Sequence, residues 1–267
     1  MEYATNDGVR LAYERRGPTD APTVAFVEGI GYGRWMWRWQ RQALDDEYDT
    51  IVWDNRGTGD SDTPEGPYTM DAMASDLAAV LDDAGVETAH VVGASMGGMV
   101  AQQFALEYDR TLSLVLMCTT PGGPEAVPMP EATAERMFEV PESYDEREAR
   151  RYKMAAAMNE SFVAEHDALV ERIVDWRIES DAGEQALAWQ AAAVDAFDVH
   201  DRLGEIRVPT LVLHGTDDRV VPVENAALLE AGIPDVEVVR LEGAPHLLFI
   251  EHSDRVNERL REFLADV

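Results

Sequence analysis

Lysine is almost missing from this chain: of 22 basic residues only Lys153 is lysine, against 52 acidic residues. The single cysteine, Cys118, excludes an internal disulfide and fits a reducing cytoplasm. The N-terminal stretch "MEYATNDGVR" has neither a basic start nor an apolar core, so no signal peptide is expected. No apolar run approaches the length of a membrane span. Neither G-x-G-x-x-G nor G-K-[ST] occurs, which removes the common phosphate-cradling loops. There is no internal repeat and no low-complexity tract.

What is present is a 267-residue chain, 46% apolar, with a formal charge of −30. That length and apolar content suit one large α/β domain carrying an inserted subdomain. A field of this sign repels nucleic acid and anionic membrane, so neither is expected as a partner. The acids are spread along the chain rather than gathered in a tail. Dispersed acids with near-absent lysine resemble the proteins of salt-accumulating halophiles.

Short apolar segments alternate with helical ones. Strands are expected at 8–17, 23–29, 50–57, 89–95, 112–118, 210–215 and 236–243. Met70 to Gly85 has helical spacing, with Met73, Leu77, Val80 and Leu81 on one side; helices also fit Met96–Tyr108 and Ser253–Leu264. This alternation predicts a doubly wound, mainly parallel sheet covered on both faces. Residues 122–203 interrupt it with amphipathic helical sequence and no strand signal. The stretch is too long for a loop inside a compact domain. It reads as a helical cap inserted into a core of 1–121 and 204–267.

The stretch "VVGASMGGMVAQ" (91–102) leaves Ser95 as a lone hydroxyl among Gly93, Ala94, Gly97 and Gly98. G-x-S-x-G between a strand and a helix forces a sharp turn, the nucleophile elbow, and small neighbours leave the serine free above the sheet. The Met96 amide, opening the helix, can face an oxyanion. Such a serine needs a base, and the base an orienting acid. Among six histidines, His90 starts the elbow strand and falls at its far end, while His166 and His200 belong to the helical block. His214 lies inside a strand and reads as packing, and His252 precedes the last helix. His246, in "EGAPHLLFIE", follows the last strand at the edge where Ser95 stands. The stretch "HGTDDRVVP" offers Asp217 and Asp218 at that same edge, so the chain order is Ser, Asp, His.

Over nearly its whole length the chain resembles the α/β-hydrolase fold superfamily. It is most similar to the compact group of enol-lactonases, cofactor-free haloperoxidase-like esterases and anthracycline methyl esterases. The matching segments are "NDGVRLAYERRG", "WDNRGTGDSD", "VVGASMGGMVAQ", "VPTLVLHGTDDRVVP" and "EGAPHLLFIE". The resemblance implies that Asp218 is the acid and that the Ile30 and Met96 amides form the oxyanion hole. It assigns Asp54 and Arg56 to fold support. One departure stands out: the group has His-Gly after its third strand, and this chain has Glu28-Gly29. A carboxylate there opposes a developing oxyanion unless it is protonated or paired, for example with Arg34. Otherwise Glu28 points aside and holds the loop by hydrogen bonds.

Trp35, Trp37, Trp39, Met96, Met137, Met154, Met158, Trp176 and Trp189 are candidates for an apolar pocket, though aromatic residues at helical spacing are commonly core. The expectation is a cytoplasmic serine hydrolase of apolar carboxylic esters or lactones, acting on a small molecule with Ser95, Asp218 and His246 and with no metal or cofactor. The alternatives are a C–C hydrolase, a perhydrolase, or a receptor that uses the same pocket without turnover.

Overall fold

A computed structural model describes residues 1–267, the side chain of Phe138 apart. Strands β1 (Glu2–Asn6) and β2 (Val9–Arg16) form a hairpin, followed by β3 (Thr23–Val27). A short 3-10 turn (Arg34–Trp37) leads into α1 (Arg38–Leu44), then β4 (Asp49–Trp53), α2 (Met70–Asp83), β5 (Ala89–Ala94), α3 (Met96–Glu107) and β6 (Thr111–Met117). Next come α4 (Glu131–Phe138), α5 (Glu146–Met154), α6 (Glu160–Glu165), α7 (Asp167–Ser180) and α8 (Glu184–Asp195). The chain returns through a 3-10 turn (His200–Glu205) to β7 (Thr210–Gly215), α9 (Glu224–Gly232), β8 (Val236–Leu241), α10 (Leu248–Glu251) and α11 (Ser253–Asp266). Among the described residues no helix is long and apolar enough to cross a membrane.

One eight-stranded sheet runs in the order β1-β2-β4-β3-β5-β6-β7-β8. The pairs β1–β2 and β2–β4 are antiparallel and all others parallel. The central strands β3, β4 and β5 are buried along their whole length. Their near-continuous Val, Ala and Ile content is what a sheet covered on both faces requires. Two apolar layers result. One packs β1 and α2–α3 on one face, with Leu77, Val100 and Phe104 in it. The other packs α1 and α10–α11 on the opposite face, with Trp37, Leu44, Phe249 and Leu260. The chain is thus a mainly parallel, doubly wound α/β protein. Residues 122–203 contain no named strand among the described residues; their one sheet-like contact is an isolated bridge from Gly122 to Asp198.

The expected strand limits shift by up to four residues, most at the end of β4, where backbone pairing stops before the apolar pattern does, and β7 matches its expected limits. Strand β1 and helix α1 carry no clear period of their own. Glu2–Asn6 shows a single buried side chain, Ala4, and is held by its register with β2.

Candidate active site

Ser95 caps α3 at the end of β5 with φ 54° and ψ −123°, a left-handed conformation that costs free energy for any residue with a Cβ. The surroundings hold it there. Its amide donates to Met117 O at 2.9 Å, and its carbonyl accepts from Thr119 Oγ1 at 2.8 Å. A Cβ on Gly97 would lie 2.0 Å from Val27 O, and one on Gly93 would lie 2.2 Å from Gly97 O. These glycines let α3 start directly against the end of β3, so the β3 exit loop lies beside the elbow. Gly29 there is in van der Waals reach of Ser95 Cβ, at 3.5 Å from the position of an added Cβ.

The Met96 amide, first in α3, has no partner within its helix, as helix geometry dictates. Among the described residues the Ile30 amide also donates to nothing. Its neighbours are engaged: Gly29 N donates to Met36 Sδ at 3.3 Å and Gly31 N to Gln190 Oε1 at 2.8 Å. Two unspent amides thus flank the elbow.

Asp218 and His246 leave the next strand ends, after β7 and β8. Their loops are in close contact: Asp217 N donates to Ala244 O at 3.0 Å, and a Cβ on Gly215 would meet Ala244 O at 2.1 Å. His246 Nδ1 lies 2.8 Å from Asp218 Oδ2, and both residues are 6% exposed. Asp218 Oδ1 accepts from the amides of Val220 (2.8 Å) and Val221 (2.9 Å). Burial alone would raise the Asp218 pKa. The charge of His246 and hydrogen bonds from His214 and His246 outweigh burial and hold the carboxyl well below the usual carboxylate range. Asp217 is exposed and faces Thr216 Oγ1.

His214 is not the plain packing residue its strand position suggests. It is fully buried, with Nε2 2.8 Å from Val221 O and 3.4 Å from Asp218 Oδ2. The signal was the four-residue spacing in H-G-T-D-D. Cys118 completes this grouping: ligand atoms of Cys118, His214 and Asp218 lie within 4.8 Å of one another. Burial, then the Asp218 charge, pushes the Cys118 thiol up, so it stays protonated.

Glu28 is fully buried and turns away from the elbow. Its Oε1 accepts from Asn55 N, and Asn55 Nδ2 donates back to Glu28 O at 3.2 Å. Arg34 does not reach it, being bound to Asp54, Glu14 and Asp60. Burial, reinforced by the Asp54 charge, lifts the Glu28 carboxyl well above its ordinary value. The raised value favours the uncharged carboxyl, which opposes an oxyanion less than a carboxylate does. Asp54 also accepts from the amides of Arg34 (2.8 Å) and Asp60 (3.0 Å), and Arg56 forks onto Asp76 at 2.6 and 2.7 Å.

The pocket expectations need correction. Trp37 is fully buried core, 5.0 Å from Phe26 and 5.5 Å from Phe249 between ring centroids. Trp35 and Trp176, 5.7 Å apart, line a cavity of about 710 Å³ between α1 and α7 whose walls include none of Ser95, Asp218 and His246. Met137 packs against the apolar cluster that takes in Met154 and Val170 of the helical segment, and the Trp189 ring lies tilted against Tyr68 at 5.4 Å between centroids and covers Gly66. Rings at helical spacing satisfied packing first.

A sheet of this order, a strained serine after its fifth strand and a buried His–Asp pair after its last two define a class of fold. The chain belongs to the alpha/beta hydrolase fold family, whose profile matches residues 22–253. It is 32% identical to the putative carbamate hydrolase RutD of Azorhizobium caulinodans, covering 100% of this chain and 99% of that protein. Its structure is similar to that of the enol-lactonase from Burkholderia xenovorans (TM-score 0.85, 26% identity, 99% of this chain and 100% of that one). It is also similar to a thermophilic esterase from Thermogutta terrifontis (TM-score 0.82, 32% identity, 99% and 98%).

Proposed function

We propose that the chain is a serine hydrolase of carboxylic esters or lactones with Ser95, His246 and Asp218 as its triad. The observation that carries this reading is the buried His246 Nδ1–Asp218 Oδ2 contact of 2.8 Å at the sheet edge where Ser95 stands on its elbow. Asp218 fixes the imidazole tautomer that leaves Nε2 as proton acceptor and stabilises the imidazolium. His246 takes the Ser95 proton as Oγ attacks the carbonyl carbon. The Ile30 and Met96 amides stabilise the tetrahedral oxyanion. Collapse expels the alcohol, which takes the proton from His246. Water, deprotonated by His246, then releases the acid. Residues 122–203 act as a cap over this edge, and the substrate is a small uncharged ester or lactone. Similar structures named as an enol-lactonase and an esterase support this reading.

The test is turnover of p-nitrophenyl esters and lactones of graded size in high salt, by wild type and Ser95→Ala. Alanine fits the elbow, so the variant keeps its fold and loses turnover. Retention of more than about a thousandth of wild-type rate exceeds the background of an oxyanion hole alone and rejects Ser95. Stoichiometric acylation without turnover in the wild type supports a receptor instead.

A further inference from the structure

The loop that carries Ile30 is held from the helical segment as well as from the sheet. Gln190, on α8, is fully buried. Its Oε1 accepts from Gly31 N at 2.8 Å and its Nε2 donates to Arg56 O at 3.0 Å. An amide nitrogen only donates and a carbonyl only accepts, so these two partners dictate which way the glutamine faces. One side chain thereby bridges the loops that follow β3 and β4. Gly31 O is held from the same side, by Ala182 N at 2.9 Å. With Gly29 N on Met36 Sδ, the residues on both sides of the Ile30 amide are anchored.

Helix α8 is seated against these loops without clearance. A Cβ on Gly31 (φ +73°) would come within 2.9 Å of Leu187 Cδ1, one on Gly57 within 2.7 Å of Ala186 Cβ, and one on Gly66 within 2.4 Å of Trp189. Three glycines are needed to let the helix sit so low. Two hydrogen bonds from the fully buried Gln190 side chain then fix the register of helix and loops, because an unmade bond there leaves a desolvated polar group.

We propose that Gln190 is a positioning residue for the oxyanion hole, and that through it α8 of the cap also holds the oxyanion loop in place. The inference rests on the reading of Ser95 as nucleophile and of the Ile30 and Met96 amides as its hole. An oxyanion donor works by being held in place before charge develops. Gln190 supplies that rigidity to the Ile30 amide, so its loss acts on the transition state more than on substrate binding.

The test is the rate of labelling by a fluorophosphonate. In that reaction the Ser95 Oγ–P bond forms, the P–F bond breaks, fluoride leaves, and the serine proton passes to His246. The phosphoryl oxygen occupies the oxyanion position, so no natural substrate has to be known. Gln190→Met keeps length and removes both hydrogen bonds. At equal folded fraction it labels roughly tenfold or more slowly than wild type, a smaller loss than removal of a donor outright. With an ester substrate, kcat falls by the same factor and KM stays within about twofold. Gln190→Asn keeps the amide but shortens its reach, and gives the same test if the methionine variant fails to fold. Equal labelling of wild type and Gln190→Met overturns the proposal, and so does a loss that appears in KM rather than in kcat. Absence of labelling in the wild type, or undiminished labelling of Ser95→Ala, overturns the hydrolase reading on which it rests.

Discussion

Two adjacent aspartates show how much one position decides. Asp218 is buried against His246 and Asp217 is exposed, because neighbouring residues leaving an extended segment point to opposite sides. Asn at the acid position keeps shape but favours the wrong imidazole tautomer, which in a serine protease costs about four orders of magnitude. Asp218→Asn should therefore lower kcat by roughly 10⁴-fold, and Asp217→Asn by less than about twofold. Steady-state kinetics at matched folded fraction would reject this assignment if the two effects were reversed. Glu28 and Asp218 should also leave opposite marks on stability. The Glu28 carboxyl is raised in the fold, so its contribution is complete below its unfolded pKa and lost as pH rises toward the folded value. Glu28→Gln keeps an acceptor for Asn55 N and removes that loss. Its Tm advantage over wild type should grow as pH rises above about 4.3, the ordinary carboxyl value. A pH-independent gap would mean that the carboxyl is not shifted. Asp218 is depressed, so its contribution persists at neutral pH and is lost only as pH falls below the ordinary carboxylate range.

At the scale of elements, close approach of backbones sets the site. Helix α3 can begin against β3 only because residue 97 lacks a Cβ. Gly97→Ala would place a methyl 2.0 Å from Val27 O, and neither backbone can yield without moving strand or helix. We expect a loss of more than about 3 kcal/mol together with loss of activity. Gly183→Ala, ahead of α8 at φ −68° with nothing within 4 Å, should change stability by less than about 1 kcal/mol. Urea unfolding of both variants in the same salt provides the comparison, and a mild Gly97→Ala would show that α3 has slack at its start. Sequence made the elbow itself legible, since G-A-S-M-G falls where an apolar run changes to helical spacing. The seat of α8 left no such mark: Gly31, Gly57 and Gly66 are far apart in the chain, and only docking of one helix explains all three.

Over the whole molecule, charge is the dominant unsettled term. Acids exceed bases by 52 to 22. The arginines are heavily engaged, for example Arg147 with Glu171 and Asp175, and Arg151 with Glu171 and Asp167. Salt weakens these exposed pairs, each worth at most about 1 kcal/mol, but it also screens repulsion among the excess of 30 acids. Repulsion involves more charges than pairing does, so Tm should rise with KCl from dilute solution well past physiological strength, toward molar concentrations. A flat or falling curve would set aside the halophilic reading.

Sequence by itself determined the order of seven of the eight strands and of helices α2, α3 and α11, the serine elbow and the histidine after the last strand, because each is written locally in period, glycine placement and position along the chain. It also marked where strand signal stops, at 122–203. Only the tertiary structure decided which distant groups meet. It placed Asp218 and not Asp217 against His246, set His214 beside that carboxylate, turned Glu28 onto Asn55, sent Trp37 into the core and laid Gln190 across the loop that carries Ile30. Those outcomes depend on packing between segments far apart in the chain, 159 residues for Gly31 and Gln190, where burial and hydrogen-bond satisfaction are settled by neighbours that no local pattern specifies.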